Sequence, residues 1–233
     1  MTNGSTNDQY TFQNPVDRFP TITPPKQDQP EPGLDADLEP KTDRGEESYR
    51  GTGRLEGRKA LITGADSGIG AAVAIAYARE GADVALAYLP EEEEDAQEIV
   101  RLVEAAGRKA VALPGDVRDA AYCAQLVSDA VEALGGLDIL VNNAGKQVAV
   151  ENLEDLSDEQ LDDTFKTNIY AFFRITKAAL PHLPAGSSII NTTSIQAYNP
   201  SPFLLDYAST KAAINNFTKG LAQQLAPKGI RVN

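Results

Sequence analysis

The sequence predicts an α/β protein in which a doubly wound parallel sheet lies between two layers of helices. From residue 55 onward, short apolar segments alternate with longer segments of helical periodicity. The apolar segments are almost continuous hydrophobic runs, which are typical of parallel strands covered on both faces. A chain of 233 residues is long enough for one such domain with a sizeable core.

The alternation gives six strands separated by helical regions. The predicted strands are 59–63, 83–88, 109–113, 137–141, 188–192 and a sixth that begins at 229. The predicted helices are 68–80, 91–106, 119–134, 158–183 and 205–225, with a break expected near Thr167. Gly81 and Gly107 follow the first two helices, as glycines often do at helix ends. Because ligands of such sheets bind beyond the carboxyl ends of the strands, we expect the site there.

Residues 1–54 differ in composition from the predicted domain over 55–233. They hold half of the chain's 14 prolines and many acids, with no periodic apolar pattern. Such a segment cannot bury enough surface to offset its own ordering entropy. Two alternatives stay open: a disordered tail, or an extended arm on the folded domain or a neighbouring subunit. The arm would be anchored by Tyr10, Phe12, Phe19 and Tyr49, with a hinge at 51–53.

Composition limits the classes of partner. The net charge of -13 argues against nucleic acid and anionic membranes, which both require clustered basic residues. The single cysteine, Cys123, excludes an internal disulfide and fits a small helix-packing residue. We find neither an apolar run of membrane-spanning length nor a leader pattern in the polar residues 1–5, and we expect a cytoplasmic protein. No cluster of His, Cys and Asp has metal-ligand spacing, so we predict no metal site.

A glycine-rich loop follows the first strand and opens the first helix. Its sequence is Thr-Gly-Ala-Asp-Ser-Gly-Ile-Gly over 63–70. Glycines let the backbone approach a pyrophosphate, whose charge the helix N-terminus stabilises. The alternative is a tight turn with no ligand. The cofactor-binding candidates in this loop are Gly64, Asp66, Ser67, Gly68, Ile69 and Gly70.

The end of the second strand does not reveal which dinucleotide binds. An acid there would bind the ribose of NAD, and a nearby arginine would accommodate the phosphate of NADP. The sequence instead reads Tyr88-Leu89-Pro90, and we place Tyr88 at the cofactor edge. The acidic run 91–94 would repel a 2′-phosphate if close, but acids in a first helical turn also stabilise the helix dipole, which we favour. NAD and NADP both stay open.

Residues after the third and fourth strands complete the predicted cofactor edge. Asp116 could accept a hydrogen bond from the adenine amino group while Val117 packs on the ring. The alternative for Asp116 is an Asx turn at a strand end. Asn143, Ala144 and Gly145 follow the fourth strand, where an amide and small side chains would leave room for a flat cofactor.

Tyr207 and Lys211 stand four residues apart at the start of the last helix, so their side chains share one helix face. A free tyrosine has a pKa of about 10, and a neighbouring ammonium favours the phenolate. The pair is suited to moving a proton to or from an alcohol or carbonyl oxygen. On spacing alone, a surface lysine and a partly buried tyrosine would look the same. Ser194 lies just beyond the fifth strand, on the same edge.

These motifs, taken together and in this order with Asn168, closely resemble the short-chain dehydrogenase/reductase family. The resemblance covers about residues 55–233 and implies a Rossmann-like fold. The glycine spacing is similar to that of the single-domain dehydrogenases. The N-terminal sequence and the glycine loop also resemble bacterial members labelled glucose/ribitol dehydrogenase-like or aldehyde reductase.

The resemblance implies a role for each matched residue. Tyr207 would be the general acid for carbonyl reduction and the base for alcohol oxidation. Lys211 would favour the phenolate and hold the nicotinamide ribose. Ser194 would bind the substrate oxygen, and Asn168 would hold a water that links Lys211 to solvent. The implied reaction is hydride transfer with NAD or NADP on a small polyol, sugar or aldehyde, in a homo-oligomer such as a dimer or tetramer.

The resemblance is incomplete at the C-terminus. Family members continue past the sixth strand with a nicotinamide loop, a substrate lid and a final strand, so we expect a truncated chain. The alternative function is therefore a cofactor-binding fragment, or a nucleotide-binding protein, without turnover. Lys146 and Gln147, which follow the Asn-Asn-Ala-Gly edge, could line the substrate mouth or be ordinary loop residues.

Overall fold

The computed structural model describes residues 8–19 and 21–233 and contains one six-stranded parallel sheet. The strands are β1 Lys59–Thr63, β2 Asp83–Tyr88, β3 Ala110–Pro114, β4 Ile139–Asn142, β5 Ser188–Asn191 and β6 Arg231–Val232. Their order is β3-β2-β1-β4-β5-β6, and every pairing is parallel. The chain winds outward from β1 and then outward again from β4, so the doubly wound sheet is confirmed. The carboxyl ends of β1 and β4 meet at the point where the winding reverses, where such sheets bind ligands.

Helices cover both faces of the sheet. They are α1 Gly68–Arg79, α2 Glu93–Ala105, α3 Ala120–Leu134, α4 Asp158–Phe165, α5 Ala171–Ala179 and α6 Leu205–Leu225. One apolar cluster joins the sheet to α1 and α2, and a second joins it to α3, α5 and α6. Adjacent strand residues point to opposite faces, so Ile62 enters the first cluster and Leu61 the second. The predicted three layers are therefore confirmed.

The break expected near Thr167 is a π turn over Lys166–Tyr170, which separates α4 from α5. The backbone N–H of Ala171 donates to the carbonyl of Lys166, five residues earlier. The wider turn carries Asn168 into the interior, where it is 0% exposed. Such single π turns often occur at functional sites.

Several predicted boundaries shift by a few residues. The helix predicted from 91 begins as a 3₁₀ turn over Pro90–Glu92, because the Glu92 carboxylate accepts the backbone N–H of Leu89 at 3.0 Å. The third strand starts at Ala110 instead of 109, since the N–H of Lys109 donates to the Asp83 side chain at 2.9 Å. The fourth strand, predicted from 137, is paired only from Ile139.

The described part of the N-terminal extension lies along the domain as an arm. The backbone N–H groups of Asp35 and Ala36 donate to the Asp95 carboxylate at the start of α2, at 2.6 and 3.1 Å. Arg44 forms an ion pair with Glu98 of α2 at 3.0 Å. These polar contacts favour the arm over the disordered tail for this part of the chain. Residues 1–7 and Pro20 of the predicted extension lie outside the described residues.

Three of the four predicted aromatic anchors do not pack on this domain, and anchoring on a neighbouring subunit stays a prediction for them. Tyr10, Phe12 and Phe19 are 58%, 104% and 64% exposed. Tyr49 does hold the arm, since its hydroxyl donates to Glu80 at the end of α1 at 2.6 Å. The arm thus binds its own domain through polar groups and not through buried rings.

The predicted hinge at 51–53 is a tight joint. A Cβ on Gly51 would lie 1.8 Å from the Arg79 carbonyl oxygen, so the backbone packs directly on the end of α1. The Glu80 carboxylate also accepts the N–H groups of Thr52 and Arg54, both at 2.9 Å. The Tyr49 hydroxyl and these N–H groups lower the pKa of Glu80 to about 2. The joint is thus built around one ionised carboxylate.

Two further features bear on function. Cys123 is buried, its thiol donates to the Val117 carbonyl at 3.0 Å, and desolvation raises its pKa to about 11. These observations support a packing role over a reactive thiol. Within residues 8–19 and 21–233, no helix combines the length and the apolar character needed to cross a membrane.

Candidate active site

The glycine loop between β1 and α1 folds back on itself at the centre of the sheet edge. A Cβ on Gly70 would lie 1.8 Å from the Gly64 carbonyl oxygen, so no other residue fits there without movement. The same carbonyl accepts a hydrogen bond from the Asn143 side-chain amide at 3.1 Å. The α1 helix starts at Gly68, and Ser67 is its N-cap residue. The backbone N–H groups in the first turn of this helix therefore face the carboxyl edge of the sheet, where a ligand can reach them.

Asn143 and Ala144 join the ends of three strands. The Thr63 hydroxyl of β1 accepts their backbone N–H groups at 2.9 and 3.0 Å. The Thr192 hydroxyl, just after β5, donates to the Asn143 side-chain oxygen at 3.0 Å. This segment ties the sheet edge together, while Gly145 next to it stays exposed. The assignment of Asn143, Ala144 and Gly145 to the cofactor stays a prediction.

Asn168 connects the π turn to the loop after β4 and to α6. Its amide nitrogen donates to the Lys146 carbonyl at 2.9 Å and to the Thr210 hydroxyl at 3.0 Å. Its amide oxygen accepts the Lys146 N–H at 2.8 Å. Both amide protons are used, so the side chain retains one acceptor position for a water.

Lys211 lies buried at the bottom of the site, with 2% of its surface exposed. Its ammonium donates to the Thr192 carbonyl at 2.9 Å and lies 5.5 Å from the Tyr207 ring centroid. Burial lowers the pKa of the Lys211 ammonium to about 8. A Cβ on Gly145 would lie 3.5 Å from this nitrogen and 3.6 Å from the Asn168 amide oxygen. The structure thus brings Lys211, Tyr207 and Asn168 together beside the exposed edge of the sheet.

The first turn of α6 carries Tyr207 and is fixed by Asp206. The Asp206 carboxylate is 5% exposed and accepts the Thr164 hydroxyl of α4 at 2.8 Å. Its other oxygen accepts the Tyr207 N–H at 2.8 Å. These bonds set the direction in which the helix leaves the loop, and therefore the position of the phenol.

Ser194 caps a short 3₁₀ turn over Ile195–Ala197 that packs on α6. Its Oγ accepts the Gln196 backbone N–H at 3.2 Å. Because this bond uses a lone pair, the hydroxyl proton stays free to donate to another oxygen. Ser194 and Tyr207 are both partly buried.

Several acidic side chains lie at the carboxyl edge of the sheet near the end of β2, on the side away from Tyr207 and Lys211. Desolvation raises the pKa of Asp66, which is 2% exposed. Desolvation and then the Asp66 carboxylate raise the pKa of Glu92 to about 7. Tyr88 is buried, and its hydroxyl donates to Glu93 at 2.8 Å. Glu92 thus faces Asp66 and Glu93 bonds to Tyr88. The helix-dipole interpretation of the acidic run 91–94 stays a prediction.

The Asx turn at Asp116 is present. The Asp116 carboxylate accepts the Arg118 N–H at 2.8 Å and pairs with its guanidinium at 2.7 Å. The guanidinium also contacts Asp163 at 2.8 Å. Val117 is 9% exposed and belongs to the core, so the predicted adenine contacts stay predictions for both residues.

The family follows from a direct comparison with known proteins. The family model described as short chain dehydrogenase matches residues 58–233. The chain belongs to the short-chain dehydrogenase family. The predicted oxidoreductase class and the Rossmann-like fold are thereby confirmed.

Relatives support the same assignment over most of the chain. An uncharacterized oxidoreductase of Bacillus subtilis, YhxD, is 59% identical over 220 residues, which cover 94% of this chain and 74% of that protein. The chloroplastic NADPH-dependent aldehyde reductase 1 of Arabidopsis thaliana is 43% identical over 208 residues, covering 87% and 72%. A crystal structure of a short chain dehydrogenase from Burkholderia cenocepacia in complex with NADP has 43% identity and a TM-score of 0.74, covering 77% and 73%.

In this short-chain dehydrogenase, the sequence patterns missed the residues that hold the matched ones in place. Asp206 and Thr210 flank the tyrosine and lysine, and an acid directly before the tyrosine at a helix start was a usable signal. Lys146 acts through its backbone on Asn168, which no side-chain pattern reveals.

Proposed function

We propose that this protein is an NAD(P)-dependent oxidoreductase that interconverts an alcohol and a carbonyl, with Tyr207 moving the proton. The observation that carries this proposal is the buried Lys211 ammonium beside the Tyr207 ring, held by the Thr192 carbonyl at 2.9 Å. A buried cation is costly unless it is paired and hydrogen-bonded. Its retention next to a phenol at a ligand-binding edge supports proton-transfer chemistry.

The residues at the sheet edge fit a dinucleotide. Gly70 leaves no room for a side chain against Gly64, so a ligand can approach the backbone N–H groups at the start of α1. These N–H groups would hold the pyrophosphate, Lys211 the nicotinamide ribose, and the exposed Gly145 edge the nicotinamide ring. When bound, the cofactor supplies or accepts the hydride. NADP in the Burkholderia structure and NADPH in the name of the Arabidopsis enzyme support this class of cofactor.

The protein groups supply the proton and position the substrate oxygen. In the reducing direction, the Tyr207 hydroxyl donates its proton to the carbonyl oxygen, and the Lys211 cation stabilises the resulting phenolate. Ser194 donates a hydrogen bond to the same oxygen and keeps its proton, because its Oγ accepts the Gln196 N–H and its hydroxyl hydrogen is available. The remaining acceptor position on Asn168 suits a water that links Lys211 to solvent.

An aldehyde, or a small polyol or sugar as the alcohol, is the proposed substrate class. It is supported by the name of the Arabidopsis relative, an aldehyde reductase.

The test is Tyr207→Phe, with Tyr198→Phe as the matched control, since Tyr198 is 70% exposed. Removing the acid-base hydroxyl should lower the turnover number by about 10²–10⁴-fold. The Kd for NADPH, read from its fluorescence, should change little in both variants. Near wild-type turnover of Tyr207→Phe across a panel of aldehydes would show that Tyr207 is not the proton donor. NADPH binding by the unmodified protein without turnover on any member of that panel would favour the nucleotide-binding alternative.

A further inference from the structure

Residues 27–39 of the arm form a loop of fixed shape, which we name the arm loop. The Gln27 side-chain amide bonds to both backbone groups of Glu39, at 2.7 and 3.0 Å. The Gln29 amide bonds in the same way to the backbone of Leu34, at 3.1 and 2.6 Å. Two amides therefore close the loop internally, so it can act as a preformed wall.

One end of the arm loop is fixed at the start of α2. Asp95 is 1% exposed, and its carboxylate accepts the N–H groups of Asp35 and Ala36 at 2.6 and 3.1 Å. Charge-assisted hydrogen bonds in such a buried setting are strong. This end lies on the side of the sheet edge where Asp66 and Glu92 face each other.

The other end of the arm loop reaches the loop after β4, which lies beside Asn168 and Lys211. Glu31 forms an ion pair with the Lys146 ammonium at 2.8 Å. Asn168 holds the backbone of Lys146 through both the oxygen and the nitrogen of its side-chain amide. The same ammonium lies 3.9 Å from Asp163, so the lysine is shared between the arm and the domain. The arm loop thus spans the sheet edge from α2 to the loop after β4.

A cleft of about 370 Å³ lies between the arm loop and the glycine loop. Its lining includes Gln29, Gly33 and Leu34 on one side and Ser67 and Gly68 on the other. Clefts of about 300–1,000 Å³ are typical for small-molecule ligands. The start of α1, where a pyrophosphate would be bound, opens directly into it.

We infer that the arm loop is the outer wall of the dinucleotide cleft and that the Glu31–Lys146 ion pair closes it. The inference rests on the proposed cofactor binding. Glu31 carries a side chain that is 66% exposed, whereas Asp95 is 1% exposed, so the Glu31 end is the weaker attachment. The loop opens at that end to release the cofactor, with Asp95 as the fixed point.

The first experiment measures cofactor release from the full chain carrying Glu31→Gln. Bound NADPH is displaced by excess NADP, and the fluorescence decay gives the dissociation rate constant. Loss of an exposed ion pair should raise this constant about twofold to fivefold. The control is Asp37→Asn, which removes the same charge from an exposed position of the arm loop; among the described residues, no side-chain bond is found for Asp37.

The second experiment is hydrogen exchange of backbone amides with and without NADPH. The inference predicts slower exchange at 27–38 as well as at 64–70. Protection at 64–70 alone, or an unchanged or slower release in Glu31→Gln, would overturn the wall while leaving the proposed function intact. Tighter NADPH binding in Glu31→Gln would mean that the arm obstructs the cleft, which also overturns it. Absence of NADPH binding and of protection at 64–70 in the unmodified chain would overturn the proposed function itself.

Discussion

The two halves of the sheet edge position their groups by opposite means. In the catalytic half, around β4, β5 and α6, side chains bond across elements, as Asn168 does to Thr210 and Lys211 to the Thr192 carbonyl. In the phosphate half, around β1 and α1, the decisive feature is a missing side chain, since Gly70 packs on the Gly64 carbonyl. Chemistry needs a fixed charge at a fixed place, whereas phosphate binding needs close approach to backbone N–H groups.

The two halves also bury opposite charges. Burial lowers the pKa of Lys211 in the catalytic half and raises the pKa of Asp66 and Glu92 in the phosphate half. In each case the charged form is disfavoured by the fold. Both halves therefore retain groups that reduce stability, which is common where function requires them.

The largest expected effect is that of Gly70→Ala in the phosphate half. The new Cβ would lie 1.8 Å from the Gly64 oxygen and 2.8 Å from the Asn143 amide nitrogen. Forcing the loop open should cost on the order of 3 kcal/mol of unfolding free energy. NADPH affinity should also fall by at least about tenfold. Urea denaturation and NADPH fluorescence measure the two effects.

Gly220→Ala is the control for this change. Gly220 lies in α6, and a Cβ there meets nothing within 4 Å. This helical substitution should stabilise the protein by about 0.5–1 kcal/mol and leave cofactor affinity unchanged. Equal losses in both variants would show that steric contact in the glycine loop is not the cause.

An intermediate effect is expected for Lys211→Met in the catalytic half. Removing the buried cation should abolish most turnover yet raise the free energy of unfolding at pH 7. The pKa of this group falls from 10.5 to about 8 on folding. After subtraction of the lost hydrogen bond to Thr192, the gain should be about 2 kcal/mol.

The pH dependence gives this prediction its sign. Between about pH 8 and 10.5 the unfolded chain holds the Lys211 proton more tightly than the folded one, so stability from this group rises with pH. The advantage of Lys211→Met should therefore shrink between pH 7 and pH 10. An advantage that is constant across this range would contradict the burial argument.

The smallest effect is expected for Glu92→Gln in the phosphate half. The substitution keeps an oxygen that can accept the Leu89 N–H. The pKa of Glu92 rises from 4.5 to about 7 on folding, so its contribution to stability is lost as pH rises through that window. Since Glu92 is only partly buried and solvent screens its charge, the variant should be more stable than the parent by only about 1–2 kcal/mol at pH 8, and nearly equal at pH 4.5. Urea titrations at both pH values give the two free energies of unfolding. If the variant and the parent are equally stable at pH 8 as well as at pH 4.5, the Glu92 carboxylate is not desolvated.

The sheet and the proximity of Tyr207 to Lys211 were predictable because their signals are local. Apolar runs gave the strands, and the spacing of Tyr207 and Lys211 placed them on one helix face. The strand pattern placed Ser194 at the sheet edge, whereas Asn168 came from the resemblance to a known family. The bonds that hold these residues, such as Asp206 to Thr164, join elements 42 residues apart and leave no periodic trace.

The arm was less predictable for the same reason. The docking contacts of the arm loop join residues 59 to 115 positions apart, and those at Asp35 and Ala36 use backbone N–H groups, which carry no side-chain signal. Acids are frequent throughout 1–54, so composition could not distinguish Glu31 from its neighbours. Aromatic residues were the natural guess for anchors, and three of the four proved exposed.

The arm precedes in the chain every element on which it docks. During synthesis, residues 27–39 emerge from the ribosome before Asp95 and, later still, Lys146. Because the residues on which the arm docks are synthesised after it, the arm has no docking surface while the first strands pair. Its Glu31 end meets Lys146 only after β4 is complete, so closure of the arm loop at that end is a late step of folding. Cofactor added to a refolding chain should then find the glycine loop open before the arm arrives.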